Sequence, residues 1–147
     1  MKKLMDETRD KFAKELVQEK KLNPKKAKKI AEKIIGATWD VGHIHQLRKQ
    51  GFSDKEILAE TKKIAKDVKH VHLTDNFGYA DSHLALGMGD VPIKEHLREL
   101  EKSEAEERRH IVESGAYAAQ FKANPTLPSL EAMNSPIYTY DAGPSWA

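Results

Sequence analysis

Apolar residues recur at three- and four-residue intervals from the start of the chain. Leu4, Met5, Phe12, Ala13, Leu16 and Val17 fall on one helical face, so the spacing predicts a helix over residues 5–21. Asn23-Pro24 then reads as an N-cap followed by proline at the first helical position, where its missing N–H costs nothing. Ala27, Ile30, Ala31, Ile34 and Ile35 form the apolar stripe of that second helix, and Gly36 ends it. The pattern next shortens. Ala37-Thr38-Trp39-Asp40-Val41 is brief, rich in strand formers and broken by Gly42. Ser53-Asp54-Lys55-Glu56 has the spacing of a capping box, opening a helix that buries Ile57, Leu58, Thr61, Ile64 and Ala65. Residues 68–73 predict a second strand, Pro92 starts a helix with Ile93, Leu97 and Leu100 inward, and His110-Ile111-Val112-Glu113 predicts a third strand.

Two helices followed by strand–helix–strand–helix–strand is the order of an α/β protein. Single helices between strands imply right-handed crossovers and a parallel sheet. The 18 residues from Thr74 to Val91 show no periodicity, and a loop of that length inside a small domain is usually functional or disordered. Residues 101–109 are a charged stretch. Residues 114–147 hold four of the six prolines and several aromatics, and are expected to be an irregular tail wrapping a surface. At 147 residues the chain has room for one domain with a genuine core. We expect residues 1–147 to form that single domain.

Composition narrows the options further. No apolar run approaches the roughly 20 residues of a membrane span, and the first residues lack the apolar core of a signal peptide, so a cytoplasmic setting with no membrane partner is expected. The chain has no cysteine, which excludes disulfides and thiolate metal sites and leaves His, Asp and Glu as the ligands for any metal. The net charge of +2 is unevenly spread, with 12 Lys/Arg against 6 Asp/Glu in residues 1–35. A basic half can contact nucleic acid, although solvated outer faces of amphipathic helices also account for these lysines.

Three segments carry the chemistry. Asp40 closes the first strand, and Gly42 is expected to turn the chain so that His43 swings back to the same mouth. The carboxylate offers hard oxygen, and the imidazole a second ligand or a proton carrier. His70 and His72 share one face of their strand because side chains alternate with period two, and His72 lies nearer the C-terminal end. In the long loop Asp81 and His83, two residues apart in extended chain, would point the same way. Glu113 ends the third strand and adds a carboxylate. Gly87 and Gly89 lack the strand–turn–helix context of a phosphate-binding fingerprint. No nucleophile elbow, P-loop or HExxH motif occurs.

Taken in order, W-D-V-G-H, H-V-H-L-T-D-N, A-D-S-H-L-A-L-G-M-G and H-I-V-E-S-G resemble the C-terminal part of the xylose isomerase-like TIM-barrel superfamily, over about residues 36–115 and more loosely 135–146. That group includes sugar phosphate isomerases and epimerases and the AP endonuclease family 2 type. The resemblance implies a partial (β/α)₈ barrel, the last three parallel strands with their helices. It implies that Asp40, His72 and Glu113 are metal ligands at successive strand ends, with Asp81 and His83 holding a further ion. His43 would contact substrate, or a further metal in the endonucleases, with Trp39 beside it. The cofactor implied is a divalent metal such as Mn, Zn, Mg or Co. The substrate implied is a small sugar or sugar phosphate, with Glu113 and His43 as the catalytic pair. An abasic-site endonuclease and a non-catalytic remnant or subunit are the alternatives.

A complete barrel takes about 250 residues. The family's glutamate from the preceding strand has no counterpart here, since Glu19 and Glu32 fall within predicted helices. The expectation is therefore an internal start at Met1 and a chain that is inactive alone. A partner chain or self-association would be needed to complete the barrel.

Overall fold

The computed structural model describes residues 2–103 and 108–135. Its first two elements are helices, α1 (Lys2–Lys20) and α2 (Pro24–Ile34), packed on each other as a hairpin. The turn between them follows from Asn23, whose side chain accepts the Lys25 N–H at 2.9 Å, with Pro24 in the first helical position. Arg9 on α1 fixes the exit from α2: its guanidinium donates to the Ile35 carbonyl at 2.8 and 3.0 Å and pairs with Asp67 at 2.6 Å. That contact ties the hairpin to the start of the sheet.

Three strands, β1 (Ala37–Asp40), β2 (Val68–Leu73) and β3 (Arg109–Val112), form a parallel sheet in the order β1-β2-β3. The crossovers between them carry the helices α4 (Asp54–Ile64) and α5 (Ile93–Glu101). Register places Trp39 beside Val71 and His110, and Asp40 beside His72 and Ile111. Paired residues of a parallel sheet share a face, so the sheet has two distinct sides. One side carries Trp39, Val71 and Leu73 and is buried against the helices in a core with Ile64, Ile93 and Leu100. The other carries Asp40, His70 and His72, and the rings of His70 and His72 stack edge to face at 4.8 Å. Ile57 and Leu100, at 0% and 1% exposure, each stabilise the helix layer by about 1.5–3 kcal/mol.

The capping box predicted at Ser53 is present. Ser53 accepts the Glu56 N–H, and the Glu56 carboxylate accepts the Ser53 N–H. Two expectations are corrected. The chain does not merely turn at Gly42: a short helix, α3 (Val41–His45), starts directly after β1 with Asp40 as its N-cap. Gly42 is required for clearance, since a Cβ there would lie 2.3 Å from Thr74 Cγ2 and 2.9 Å from Asn76 Nδ2. The segment after Ser114 is not wholly irregular either. It folds as α6 (Gly115–Phe121) and α7 (Thr126–Ala132), while residues 136–147 lie outside the described part. Its prolines misled because Pro125 and Pro128 occupy the N-cap and first turn of α7, where a missing N–H is harmless. Part of the charged stretch, residues 104–107, is likewise outside the described residues.

Parallel strands joined through helices on one side are the repeating unit of a (β/α)₈ barrel, here three strands of it. Glu19 and Glu32 lie in α1 and α2, as expected, and neither comes from a strand.

Candidate metal centre

Alternating imidazoles and carboxylates close into a ring at the C-terminal end of the sheet. Asp40 Oδ2 lies 2.9 Å from His43 Nδ1, and His43 Nε2 lies 2.8 Å from Asp81 Oδ2. Asp81 Oδ1 is 3.0 Å from His83 Nε2, whose other nitrogen is 3.8 Å from Glu113 Oε2. Glu113 Oε1 is 3.0 Å from His72 Nδ1, which is 3.9 Å from Asp40 Oδ2. Within this ring two sets of three offer ligand atoms no more than 4.8 Å apart: Asp40, His72 and Glu113, and His43, Asp81 and His83. Nitrogen and carboxylate oxygen in that mixture suit Zn, Mn or Co, so the residues present fit a divalent ion in either set.

Each member is placed by a local cause. Asp40 ends β1, and its Oδ1 accepts the Gly42 and His43 N–H groups at 3.0 Å, which leaves Oδ2 facing the ring. His72 reaches it because β1 and β2 are in register there. Glu113 follows β3 and continues the ladder through its N–H to the Leu73 carbonyl at 2.9 Å. Asp81 and His83 arrive on the long loop. Their approach is not through extended chain as expected, because His83 has φ +43°. A residue in that left-handed conformation is held there by its surroundings.

Those surroundings are organised by two buried residues, Asp75 and Asn76, that pattern reading did not single out. The Asp75 carboxylate accepts the N–H groups of Asn76, Gly87 and Val91 at 2.9, 2.8 and 3.2 Å, and its carbonyl accepts that of Leu84 at 3.0 Å. Asn76 donates to the Gly42 carbonyl at 3.0 Å and accepts from the Gly78 N–H at 2.7 Å. Gly89 passes so close that a Cβ would lie 2.3 Å from both the Asn76 carbonyl oxygen and Asp75 Oδ1. Helix α7 closes the outside, with Ser129 Oγ accepting the Leu86 N–H at 3.2 Å.

Electrostatics follow from the ring. The hydrogen bond to Asp81 raises the His43 pKa above its ordinary value, against partial burial and with help from the Asp40 charge. Partial burial pushes Asp81 up, but hydrogen bonds from His43 and His83 outweigh it and hold the carboxyl below its usual range. Trp39 does not belong to the site. The alternation that turns Asp40 toward the ring turns Trp39 into the core, where its indole is 5% exposed and donates to Thr61 Oγ1 at 3.0 Å. The expectation of Trp39 as a substrate contact is therefore corrected. Thr61 passes the contact on to His96 Nδ1 at 2.7 Å, giving a buried polar chain behind the sheet.

The fold is thus an α/β protein with a convergent carboxylate–imidazole cluster at the C-terminal ends of its parallel strands. Comparison with known proteins agrees: the model of the xylose isomerase-like TIM barrel family matches residues 3–134, and the chain belongs to that family. The match extends well upstream of the motifs that carry the resemblance, into α1 and α2. The family includes sugar isomerases and epimerases and AP endonucleases. A relative, the uncharacterized protein MJ1311 of Methanocaldococcus jannaschii, is 33% identical over 75 residues, which is 51% of this chain and 24% of that protein. The chain thus aligns with about a quarter of that relative's length. No solved structure matches the chain. Among the described residues no helix is long and apolar enough to cross a membrane.

Proposed function

We propose that the ring is the metal centre of a sugar or sugar-phosphate isomerase or epimerase. The observation that supports this most directly is the alternation itself, because every carboxylate in the ring faces two imidazoles. Asp40, His72 and Glu113 hold one divalent ion, and Asp81 and His83 offer a place for another. A bound ion supplies Lewis acidity, polarising a carbonyl and its neighbouring hydroxyl. Around it the chain's own groups have separate tasks. Asp40 spends one oxygen on the α3 N-terminus and presents the other in a fixed direction. His43, hydrogen-bonded to Asp81 through Nε2 and 2.9 Å from Asp40 through Nδ1, is held by these carboxylates where it would contact the substrate or take the outer ion. Glu113, half-buried and backed by His72, is placed to take or return a proton at the carbon next to the carbonyl.

The set of His43, Asp81 and His83 also favours a second reading, a metal-dependent nuclease acting at abasic DNA, because a phosphodiester site gains from a further ion. One series separates the possibilities. Manganese and zinc are titrated into the chain and into Asp40→Ala and His72→Ala, and uptake at the inner set weakened by on the order of tenfold or more is expected in both variants, with the outer set retained. Identical weak binding in all three proteins rejects a metal centre and leaves a non-catalytic role. Sugar-phosphate turnover supports the isomerase reading, and incision of an abasic duplex without it supports the nuclease.

A further inference from the structure

Three residues of α3 hold the long loop at three separated points. The Gly42 carbonyl accepts from Asn76 at 3.0 Å, His43 pairs with Asp81 at 2.8 Å, and His45 Nε2 lies 2.9 Å from Asp90 Oδ1. Arg48, one turn further on, donates through Nη1 to the second oxygen of Asp90 and lies 3.5 Å from Asp54 through Nε. His45 is fully buried, and its Nδ1 has no hydrogen-bond partner. That nitrogen lies 4.0 Å from Asp54 Oδ1, beyond hydrogen-bond reach, and a buried imidazole so placed is a poor way to stabilise a fold: an apolar side chain of similar volume would avoid that desolvation cost. What the imidazole and guanidinium provide together is direction, a two-pronged grip on one carboxylate at the point where the loop returns to α5.

The middle of the three holds is of a different kind from the outer two. When an ion occupies His43, Asp81 and His83, the direct His43–Asp81 hydrogen bond is replaced by coordination. Of the three hydrogen-bonded holds from α3, those at Asn76 and Asp90 then remain. We propose that Asp90, gripped by His45 and Arg48, is a positioning residue that locks the return leg of the loop and so preorganises Asp81 and His83 for the outer ion. Neither Asp90 nor Arg48 touches the ring. They act through Asp75, which binds the N–H groups of Gly87 and Val91 on either side of Asp90. The inference rests on the reading of His43, Asp81 and His83 as a metal set.

Cobalt(II) titration followed by visible absorption tests it, on two backgrounds of the full chain. His72→Ala disables the inner set and reports the outer one, and His83→Ala does the reverse. In the His72→Ala background, Asp90→Asn is expected to weaken cobalt binding on the order of tenfold, and Arg48→Gln by a smaller factor in the same direction. In the His83→Ala background Asp90→Asn is expected to leave cobalt affinity unchanged. Circular dichroism and urea midpoints confirm that the variants being compared are folded. If Asp90→Asn and Arg48→Gln leave the outer affinity unchanged, or Asp90→Asn lowers both sets alike, the residues are only structural and the inference fails. Absence of cobalt binding in the His72→Ala background overturns the outer metal set itself, an outcome distinct from normal binding that ignores Asp90.

Discussion

His96 shows how a single buried group sets the response of the fold to acid. It is fully buried between α4 and α5, its Nδ1 is occupied by Thr61, and its Nε2 has no partner. Burial, with repulsion from His45, lowers its pKa from 6.5 to about 4. Because the folded-state value is the lower one, the unfolded chain binds the proton more readily between the two values. The stability contributed by a neutral His96 is therefore complete above pH 6.5 and is lost progressively as the pH falls toward 4. A shift of that size corresponds to about 3 kcal/mol across the window. Urea unfolding of the chain and of His96→Leu, compared from about pH 7 down to about pH 4.5, should show a shallower acid loss in the variant. Equal slopes would mean that His96 does not titrate as its burial requires.

At the scale of elements, much was readable because it depends on neighbours in sequence. The capping box at Ser53, the Asn23-Pro24 start of α2 and the alternation of β2 are local, and all three are present. Asp40, His72 and Glu113 were legible for the same reason: a period of two and a position at a strand end suffice to aim them. Asp75 and Asn76 were not, since their partners Gly87 and Val91 come back only after the loop has folded on itself. His45 and His96 were hidden differently. On helices they occupy positions that look like ordinary polar interruptions, and only the packing of α3, α4 and α5 buries them. The loop's dependence on close approach can be tested at Gly89. Replacement by alanine would force a Cβ to within 2.3 Å of Asn76 backbone and the Asp75 carboxylate. Gly89→Ala is expected to cost about 2 kcal/mol or more in urea unfolding, as a small-to-large change against backbone does. Ser53→Ala, removing an exposed cap, should cost only about 1 kcal/mol. A Gly89→Ala loss no greater than that of Ser53→Ala would show that the loop yields cheaply.

The whole molecule presents its chemistry on the side of the sheet that a closed barrel would turn inward. Helices cover one face, while the other holds His70 and His72 and, on β3, Ile111 at 46% exposure. A closed barrel buries that face with side chains from eight strands and draws catalytic groups from several of them. The described sheet has three. The consequences for binding and for catalysis differ. On the proposed reading both candidate sets draw only on α3, the long loop and the ends of β1–β3, so metal uptake uses groups that are already assembled. Turnover needs more, because a sugar must be held against the ion with its reacting carbon in line with a base. Misplacement by even about 1 Å costs on the order of a hundredfold in rate. Among the described residues the open sheet has no opposite wall to impose that alignment. The purified chain is therefore expected to bind manganese or cobalt with normal stoichiometry while turning over sugar phosphates at a rate indistinguishable from the metal-free control. Brisk turnover by the metal-loaded chain alone, at concentrations where sedimentation shows a monomer, would show instead that the three-strand face is sufficient.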